Sequence, residues 1–202
     1  MNRLGWTILA LLVLGGIALA TMVHLGSGQL SSPQRSPTPT PASGSRVLRP
    51  APSTATGASG LVIPVAGVAA AALHDDWGEP RGGGTRAHHA IDIMAPKGTP
   101  VLAAASGRIE KLFESVPGGH TVYVRSEDGG TVYYYAHLDG YWLGLHEGQP
   151  VLPGERIAFV GATGDADPGA PHLHFEVKRM AAGERWWQGT NVDPYPLLVP
   201  GR

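Results

Sequence analysis

The stretch APHLHFE, residues 170–176, places two histidines at alternate positions of a run that otherwise has the pattern of a buried strand. In an extended strand, residues two apart project from the same face. His172 and His174 are therefore predicted to share one face, while Leu173 and Phe175 point from the other face into a core. Apolar side chains would pack better than imidazoles, so this spacing indicates a face with a chemical role.

Strand-like runs of this kind recur through the second half of the chain. Turn signals such as Asp139-Gly140 separate them, and Glu127–Gly130 is predicted to close a hairpin. The only helix candidate nearby is a short alanine run at 69–73. A content of 29 glycines and 18 prolines in 202 residues agrees with many short strands and turns. The sequence predicts an all-β, mainly antiparallel fold with irregular loops, whose strand runs are Val101–Ala105, Arg108–Phe113, Thr121–Ser126, Thr131–Leu138, Arg156–Val160 and His172–Lys178.

The N-terminal part of the chain has a different composition. Residues 4–25 contain no charged side chain other than histidine and are long enough to cross a bilayer, with Arg3 just before them on the predicted cytoplasmic side. We interpret residues 1–25 as a single-pass membrane anchor. The alternative is a signal peptide cleaved after Ala18-Leu19-Ala20, which would release a secreted protein.

Two further segments follow the anchor. Residues 26–60 are rich in Ser, Thr, Pro and Gly and are predicted to form a disordered linker, because such a composition buries too little apolar surface to offset its ordering entropy. Residues 61–202 carry every strand signal and are predicted to be the folded domain. Net charge is −1, so no electrostatic footprint for nucleic acid is visible.

The folded part contains a set of imidazole and carboxylate side chains that suits zinc. His88 and Asp92 are four residues apart, and a straight strand would separate them by ~13 Å, so a bulge or turn is needed for both to bind one ion. The chain has no cysteine, which excludes a thiolate site. The candidate residues are His88, His89, Asp92, His137, His172 and His174.

Four motifs in order give the chain a strong resemblance to the lysostaphin-type, or LytM-domain, zinc metallopeptidases of family M23. They are RxHxxIDIxAPxGTPV (86–101), YYYAHL (133–138), VLPGERIAFVGATG (151–164) and PHLHFE (171–176). The resemblance covers roughly residues 61–198. The chain departs from the family's usual HxGxD centre at one position, where Ala90 replaces glycine.

The resemblance implies a role for each matching position. His88, Asp92 and His174 correspond to zinc ligands, and His137 and His172 to catalytic groups beside the metal. No HExxH motif supplies a glutamate base, so an imidazole is expected to move the proton. We assign the base to His137 and oxyanion stabilisation or shared proton transfer to His172, a division that the residues leave open. Strand alternation places Tyr133 and Tyr135 on the face of His137, and Tyr135 is therefore predicted to offer a hydroxyl to the substrate.

The resemblance implies zinc-dependent endopeptidase cleavage of peptidoglycan peptides, and the N-terminal segments agree with a domain that faces the periplasm and cell wall and is tethered to the inner membrane. The alternative from another class is a catalytically inactive LytM-type domain that binds or activates another cell-wall hydrolase, which would make a regulatory protein its partner. A sugar-transport phosphocarrier of similar barrel fold is a third interpretation, against which the N-terminal segment argues. The remaining polar and aromatic candidates are interpreted as non-ligands: His89 facing away, His120 in a loop, Asp75, Asp76 and Glu79 in a solvated loop, and Trp186 and Trp187 in packing or a groove.

Overall fold

The computed structural model describes residues 60–199. The predicted anchor and all but the last residue of the predicted linker lie outside these residues, so both stay predictions. Among residues 60–199, no helix combines the length and apolar character needed to cross a membrane.

Strands are the main regular elements of the described chain. The alanine run forms only a 3₁₀ turn at Ala70–Ala72. One short helix, α1 (Tyr195–Leu198), was not predicted from the sequence. The strands are β1 (Pro80–Arg81), β2 (Arg86–Ala87), β3 (Ile91–Met94), β4 (Pro100–Leu102), β5 (Gly107–Ser115), β6 (Gly119–Arg125), β7 (Thr131–Tyr141), β8 (Pro150–Val151), β9 (Arg156–Val160), β10 (His172–Arg179) and β11 (Thr190–Val192).

Within residues 60–199, every strand pairing is antiparallel, which confirms the all-β prediction. Strands β1 and β2 form a small hairpin. The other nine form one sheet with the path β11-β10-β7-β6-β5-β8, to which β3 adds beside β10 while β9 pairs with both β7 and β4. The β6–β7 hairpin is closed where predicted, with Ser126 and Thr131 joined by a backbone hydrogen bond of 2.9 Å.

Strand β10 pairs with β7 along one edge and with β3 and β11 along the other, and its two faces have different surroundings. Leu173 and Phe175 are fully buried, whereas His172 and His174 keep part of their surface exposed, as the alternation predicted. Fully burying a large apolar side chain stabilises a fold by about 1.5–3 kcal/mol. The packing of Leu173 and Phe175 therefore fixes which way both histidines point.

The prediction of a turn at Asp139-Gly140 was wrong. Strand β7 continues through these residues to Tyr141, because its last residues pair with β9, where Gly140 lies opposite Phe159 and Tyr141 opposite Ala158. The register shifts between Leu138 and Gly140, so the glycine accommodates an irregularity inside the strand rather than a chain reversal.

Candidate metal centre

Strand pairing and one irregular step of the chain bring three predicted ligands together. His174 on β10 lies directly opposite Asp92 on β3. Between β2 and β3, residues 88–90 lie outside the strands and include a bend at Ala90, which supplies the irregularity that the sequence required. Ala90 is completely buried there and does not have a positive φ, so the position does not need the glycine usual in the family.

The three side chains present one ligand atom each to a common point. His88 Nε2 lies 3.1 Å from Asp92 Oδ1 and 3.1 Å from His174 Nδ1. His174 Nδ1 lies 3.0 Å from Asp92 Oδ1. Ligand atoms of a tetrahedral zinc site are about 3.3–3.5 Å apart, only a few tenths of an ångström more. Two imidazoles and one carboxylate also match the three-ligand set of catalytic zinc sites, so the residues fit this metal.

Each of the two histidines in this set has a carboxylate beside its other nitrogen. His88 Nδ1 donates to the Asp76 carbonyl oxygen at 3.2 Å and lies 3.4 Å from Asp76 Oδ2, and His174 Nε2 lies 3.2 Å from Glu176 Oε1. Such outer contacts fix the orientation of a ligating ring and raise its basicity. Asp76 is 6 % exposed, so its interpretation as part of a solvated loop was wrong. The sequence carried no periodic signal at Asp76, since its role depends on a contact with a residue twelve positions later.

Arg81 connects the carboxylates behind the site. Its Nη2 donates to Asp92 Oδ2 at 3.1 Å and to Asp76 Oδ2 at 3.3 Å, and its Nη1 donates to Glu79 at 2.9 Å. Charge-assisted hydrogen bonds of this kind are strong and directional. Arg81 therefore fixes Asp92 at the wall of the cleft, a function that the sequence alone did not reveal.

The electrostatic field at the centre favours a cation. Burial alone would raise the pKa of Asp92, but the hydrogen bonds from His174 and His88 outweigh it and hold this pKa well below its ordinary value. Burial would lower the pKa of His88, but Asp76 and Asp92 reverse this effect and raise it to about 9. The raised pKa of His88 reports negative potential at its ring, and the lowered pKa of Asp92 keeps that carboxylate ionised, so both groups favour a bound cation.

Two further histidines flank the cluster with matching hydrogen-bond patterns. His137 Nδ1 donates to the Thr163 carbonyl at 2.9 Å, and His172 Nδ1 donates to the Ala170 carbonyl at 2.8 Å. In each neutral ring the proton is then on Nδ1, and Nε2 keeps its lone pair. The two rings are 5.0 Å apart, and His172 Nε2 lies 3.8 Å from Asp92 Oδ1. Burial lowers the pKa of His137, so this imidazole is neutral and able to accept a proton.

His137 depends on two backbone segments packed against each other. It has φ +59°, the only positive φ of a non-glycine residue within 60–199, and its N–H bonds Gly118 O at 2.8 Å. A Cβ on Gly164 would lie 2.3 Å from Pro117 O, and one on Gly119 would lie 2.5 Å from the Thr163 carbonyl carbon. Only glycine permits this approach, which holds the acceptor of the His137 ring in place.

The prediction for Tyr135 was wrong. Tyr135 is fully buried in the core, and its hydroxyl accepts a hydrogen bond of 2.9 Å from Ala104 N. The register of β7 against β6 shifts between Tyr135 and Leu138, and the positive φ of His137 turns that side chain to the face of Tyr134 and Ala136. The alternation of side-chain direction along β7 is therefore shifted by one residue at His137. As a result Tyr134, and not Tyr135, lines the cleft.

The five histidine and aspartate side chains lie in one open cleft of about 890 Å³. Its other walls include Arg86, Asp165 and Lys178, with Arg86 Nη2 3.1 Å from Asp165 Oδ2 across the opening. His89 stacks on Trp77 at 5.3 Å and His120 contacts Tyr141 at 5.9 Å, so both rings lie outside the ligand cluster. The cleft is large enough for several residues of a peptide.

Asp76→Asn is expected to weaken zinc binding by ~10–100-fold, the usual effect of losing an outer partner of a ligating histidine. The amide keeps the size of the side chain but removes the charge that faces His88 Nδ1. Competition with a chromogenic zinc chelator would measure the affinity. Asp75→Asn is the matched control, because Asp75 is exposed and accepts a hydrogen bond from the Trp77 N–H. Equal affinities of the two variants would contradict the role given to Asp76.

Comparisons with known proteins agree with this geometry. The family model described as Peptidase family M23 matches residues 86–194. An L-Ala--D-Glu endopeptidase of Bacillus subtilis (strain 168) is 37 % identical over 128 residues, which are 60 % of this chain and 38 % of that protein. A DD-carboxypeptidase/endopeptidase of Neisseria meningitidis serogroup B is 42 % identical over 117 residues, 57 % of this chain and 24 % of that protein.

Solved structures show the same architecture. The catalytic domain of the antimicrobial peptidase lysostaphin from Staphylococcus simulans superposes with a TM-score of 0.51 at 30 % identity, covering 61 % of this chain and 89 % of that one. The curated relatives are much longer than the shared region, since this chain spans less than half the length of either of the two described above. The similarity therefore concerns the β domain and its cleft.

Proposed function

The chain belongs to peptidase family M23, and from this premise we propose that it is a zinc-dependent endopeptidase that hydrolyses peptide bonds of peptidoglycan. The observation that carries the proposal is the grouping in one cleft of a three-ligand set and two histidines whose Nε2 atoms are free to move protons. The substrate class comes from the relatives, which include an L-Ala--D-Glu endopeptidase and a DD-carboxypeptidase/endopeptidase.

His88, Asp92 and His174 would hold the ion. Zinc supplies a Lewis acid that activates water at neutral pH and polarises a carbonyl group. Asp76, Glu176 and Arg81 keep the ligand atoms oriented, so little reorganisation is needed when an ion or substrate arrives.

His137 and His172 carry the proton chemistry in this proposal. His137 Nε2 takes a proton from the attacking water, and the resulting imidazolium keeps its Nδ1–H on the Thr163 carbonyl. The Nε2–H of His137 then returns this proton to the leaving amine. His172, with Nδ1–H on the Ala170 carbonyl, stabilises negative charge on the substrate oxygen when its Nε2 also carries a proton, and in that form it shares the proton transfer to the leaving amine. Burial raises the pKa of Tyr134 well above its ordinary value, so its hydroxyl stays protonated at the cleft wall.

The geometry of the site gives less support to the alternative, a catalytically inactive domain that binds or activates another cell-wall hydrolase. A domain that only binds a partner does not need its ligands, yet all three predicted ligands converge within 3.1 Å of one another and both flanking histidines are present. The carboxylate partners of the ligating rings are present as well. A regulatory protein that gates an active enzyme remains part of the proposal.

Digestion of purified peptidoglycan is the direct test. We expect soluble peptide-containing fragments whose masses identify one cleaved bond type, and loss of this activity after chelation. Zinc should restore it and magnesium should not, because magnesium prefers oxygen ligands in octahedral geometry. A fully zinc-loaded protein that releases no fragment from peptidoglycan would contradict the enzymatic proposal and favour the binding domain.

We also propose that the domain is tethered to the inner membrane and faces the cell wall. The support is the apolar run over residues 4–25 and the Pro-rich segment that follows it. The full-length protein should stay in the membrane fraction after a high-salt wash and keep its original N-terminus. A soluble mature protein that begins at Thr21 would instead establish signal cleavage and secretion.

A further inference from the structure

A cluster of aromatic side chains lies on the same sheet face as the metal centre and has no part in the chemistry proposed above. This aromatic patch consists of Phe113, Tyr123, Trp186 and Trp187. Trp186 is its centre, with ring centroids 5.1 Å from Phe113, 4.6 Å from Tyr123 and 5.0 Å from Trp187. Trp187 is 49 % exposed and Phe113 is 39 % exposed, so the patch presents apolar ring surface to solvent.

The patch is continuous with the cleft through neighbouring strands. Tyr123 on β6 lies opposite Tyr134 on β7, which lies opposite Glu176 on β10. The Tyr123 and Tyr134 rings are 4.6 Å apart, and the Tyr134 ring is 6.2 Å from that of His174. A substrate that occupies the cleft therefore reaches the patch along a single row of side chains.

The segment that carries the two tryptophans is ordered by polar contacts. Arg125 Nη2 donates to the Glu184 carbonyl at 3.1 Å, while Arg125 Nε pairs with Glu110 at 2.6 Å. Glu184 accepts from Ala181 N at 2.7 Å, and the Gln188 side chain accepts from Arg185 N at 2.8 Å. A surface held in this way loses little entropy when a ligand binds.

We propose that the aromatic patch binds N-acetylhexosamine rings of the glycan strand to which the peptide substrate is attached. This inference rests on the proposed function. The C–H groups on the apolar face of a sugar ring carry partial positive charge and pack on the electron-rich face of an aromatic ring. The polar rim of Arg185 and Gln188 offers donors to the hydroxyl and acetamido groups. A patch built for an anionic membrane would need several basic residues, whereas here Arg185 already stacks on Trp187 at 5.2 Å.

The spacing of the rings agrees with this substrate. Successive ring contacts of 6.2, 4.6 and 4.6 Å lead from His174 to Trp186. Four to five extended peptide residues span ~13–18 Å, which matches the length of this row. A stem peptide joined to a sugar at Trp186 would thus place a peptide bond four or five residues from the sugar at the metal centre.

Trp187→Ala tests the proposal in the full-length protein. We expect about a threefold to tenfold loss of kcat/KM on glycan-bearing fragments and no change on the same stem peptide released from its sugar by an amidase. Trp142→Ala is the matched control, because Trp142 also has a stacked arginine, Arg156 at 5.3 Å, but its ring contacts Phe159 and is not part of the aromatic patch. An equal loss of Trp187→Ala on both substrates, or no loss on either, would overturn the glycan site.

Calorimetric titration with tetra-N-acetylchitotetraose separates this proposal from the proposed function, because it needs no catalysis. The wild type and Trp142→Ala should bind this oligosaccharide alike, and Trp187→Ala should bind it about threefold to tenfold more weakly. No binding by the wild type, or binding to phosphatidylglycerol vesicles in its place, would overturn the glycan site even if peptidoglycan is cleaved. If the wild type binds the sugar but cleaves no peptide, glycan binding by the aromatic patch is supported and the proposed peptidase activity is contradicted.

Discussion

Asp92→Ala is expected to empty the metal site and abolish peptidoglycan cleavage together. Asp92 Oδ1 lies 3.0–3.1 Å from the ligand atoms of both histidines, so its loss removes one of three protein ligands and the only negative charge among them. Loss of an outer partner already weakens metal binding by ~10–100-fold, and loss of a ligand should exceed that range. Zinc content after dialysis should fall from about one ion per chain to nearly none.

The control for this variant is His89→Ala. His89 is adjacent to the proposed ligand His88 but is exposed and stacks on Trp77. Its removal should leave zinc content and activity near those of the wild type. If His89→Ala loses zinc while Asp92→Ala retains it, the coordination proposed for this loop is wrong.

Strand periodicity was sufficient to predict which side chains of β10 face the metal centre. Residues 172–176 alternate between the cleft and the core without interruption, because every residue of β10 in this range pairs with a neighbour in regular register. The all-β class followed for the same reason, since strand runs and turn signals are local properties of the sequence. The resemblance to the M23 family added which residues were expected to be zinc ligands and which were expected to be catalytic groups.

Periodicity failed where the backbone departs from regular structure. The positive φ of His137 reverses the alternation in β7, so Tyr135 faces the core and Tyr134 the cleft. The sequence around His137 does not indicate this irregularity. The irregularity depends on the contact between Gly119 and Gly164, which are far apart in sequence. Irregularities of this kind concentrate at functional sites.

The outer carboxylates illustrate a second limit of sequence reasoning. Asp76 lies in a polar stretch with Asp75 and Glu79, and composition alone made all three equivalent. Folding distinguishes them, because Asp76 alone of the three is buried, beside His88 and Arg81. Which of these carboxylates is buried depends on contacts between residues far apart in the sequence. Those contacts are known only once the fold is known.

His137→Ala is expected to keep about one zinc per chain and to slow turnover by ~10²–10⁴-fold, the usual contribution of a general acid–base group. His137 is adjacent to the ligands but is not one of them: its ring centroid is 5.6 Å from that of His174, and its Nδ1 is committed to the Thr163 carbonyl. Single-turnover assays with enzyme in saturating excess over substrate would measure the loss in the chemical step. Thermal unfolding of the zinc-loaded variant would show that the fold is intact.

The sharpest contrast lies within the tripeptide His172-Leu173-His174. Both histidines project from the same face of β10, so alanine at either position changes the fold to a similar degree. Their surroundings differ, because His174 Nδ1 meets both other ligand atoms whereas His172 Nε2 is 3.8 Å from the nearest one, Asp92 Oδ1. His174→Ala should therefore lose zinc and activity together, and His172→Ala should lose activity alone. If His172→Ala empties the site while His174→Ala stays metallated, the two roles are exchanged and the chemistry assigned to this strand must be rewritten.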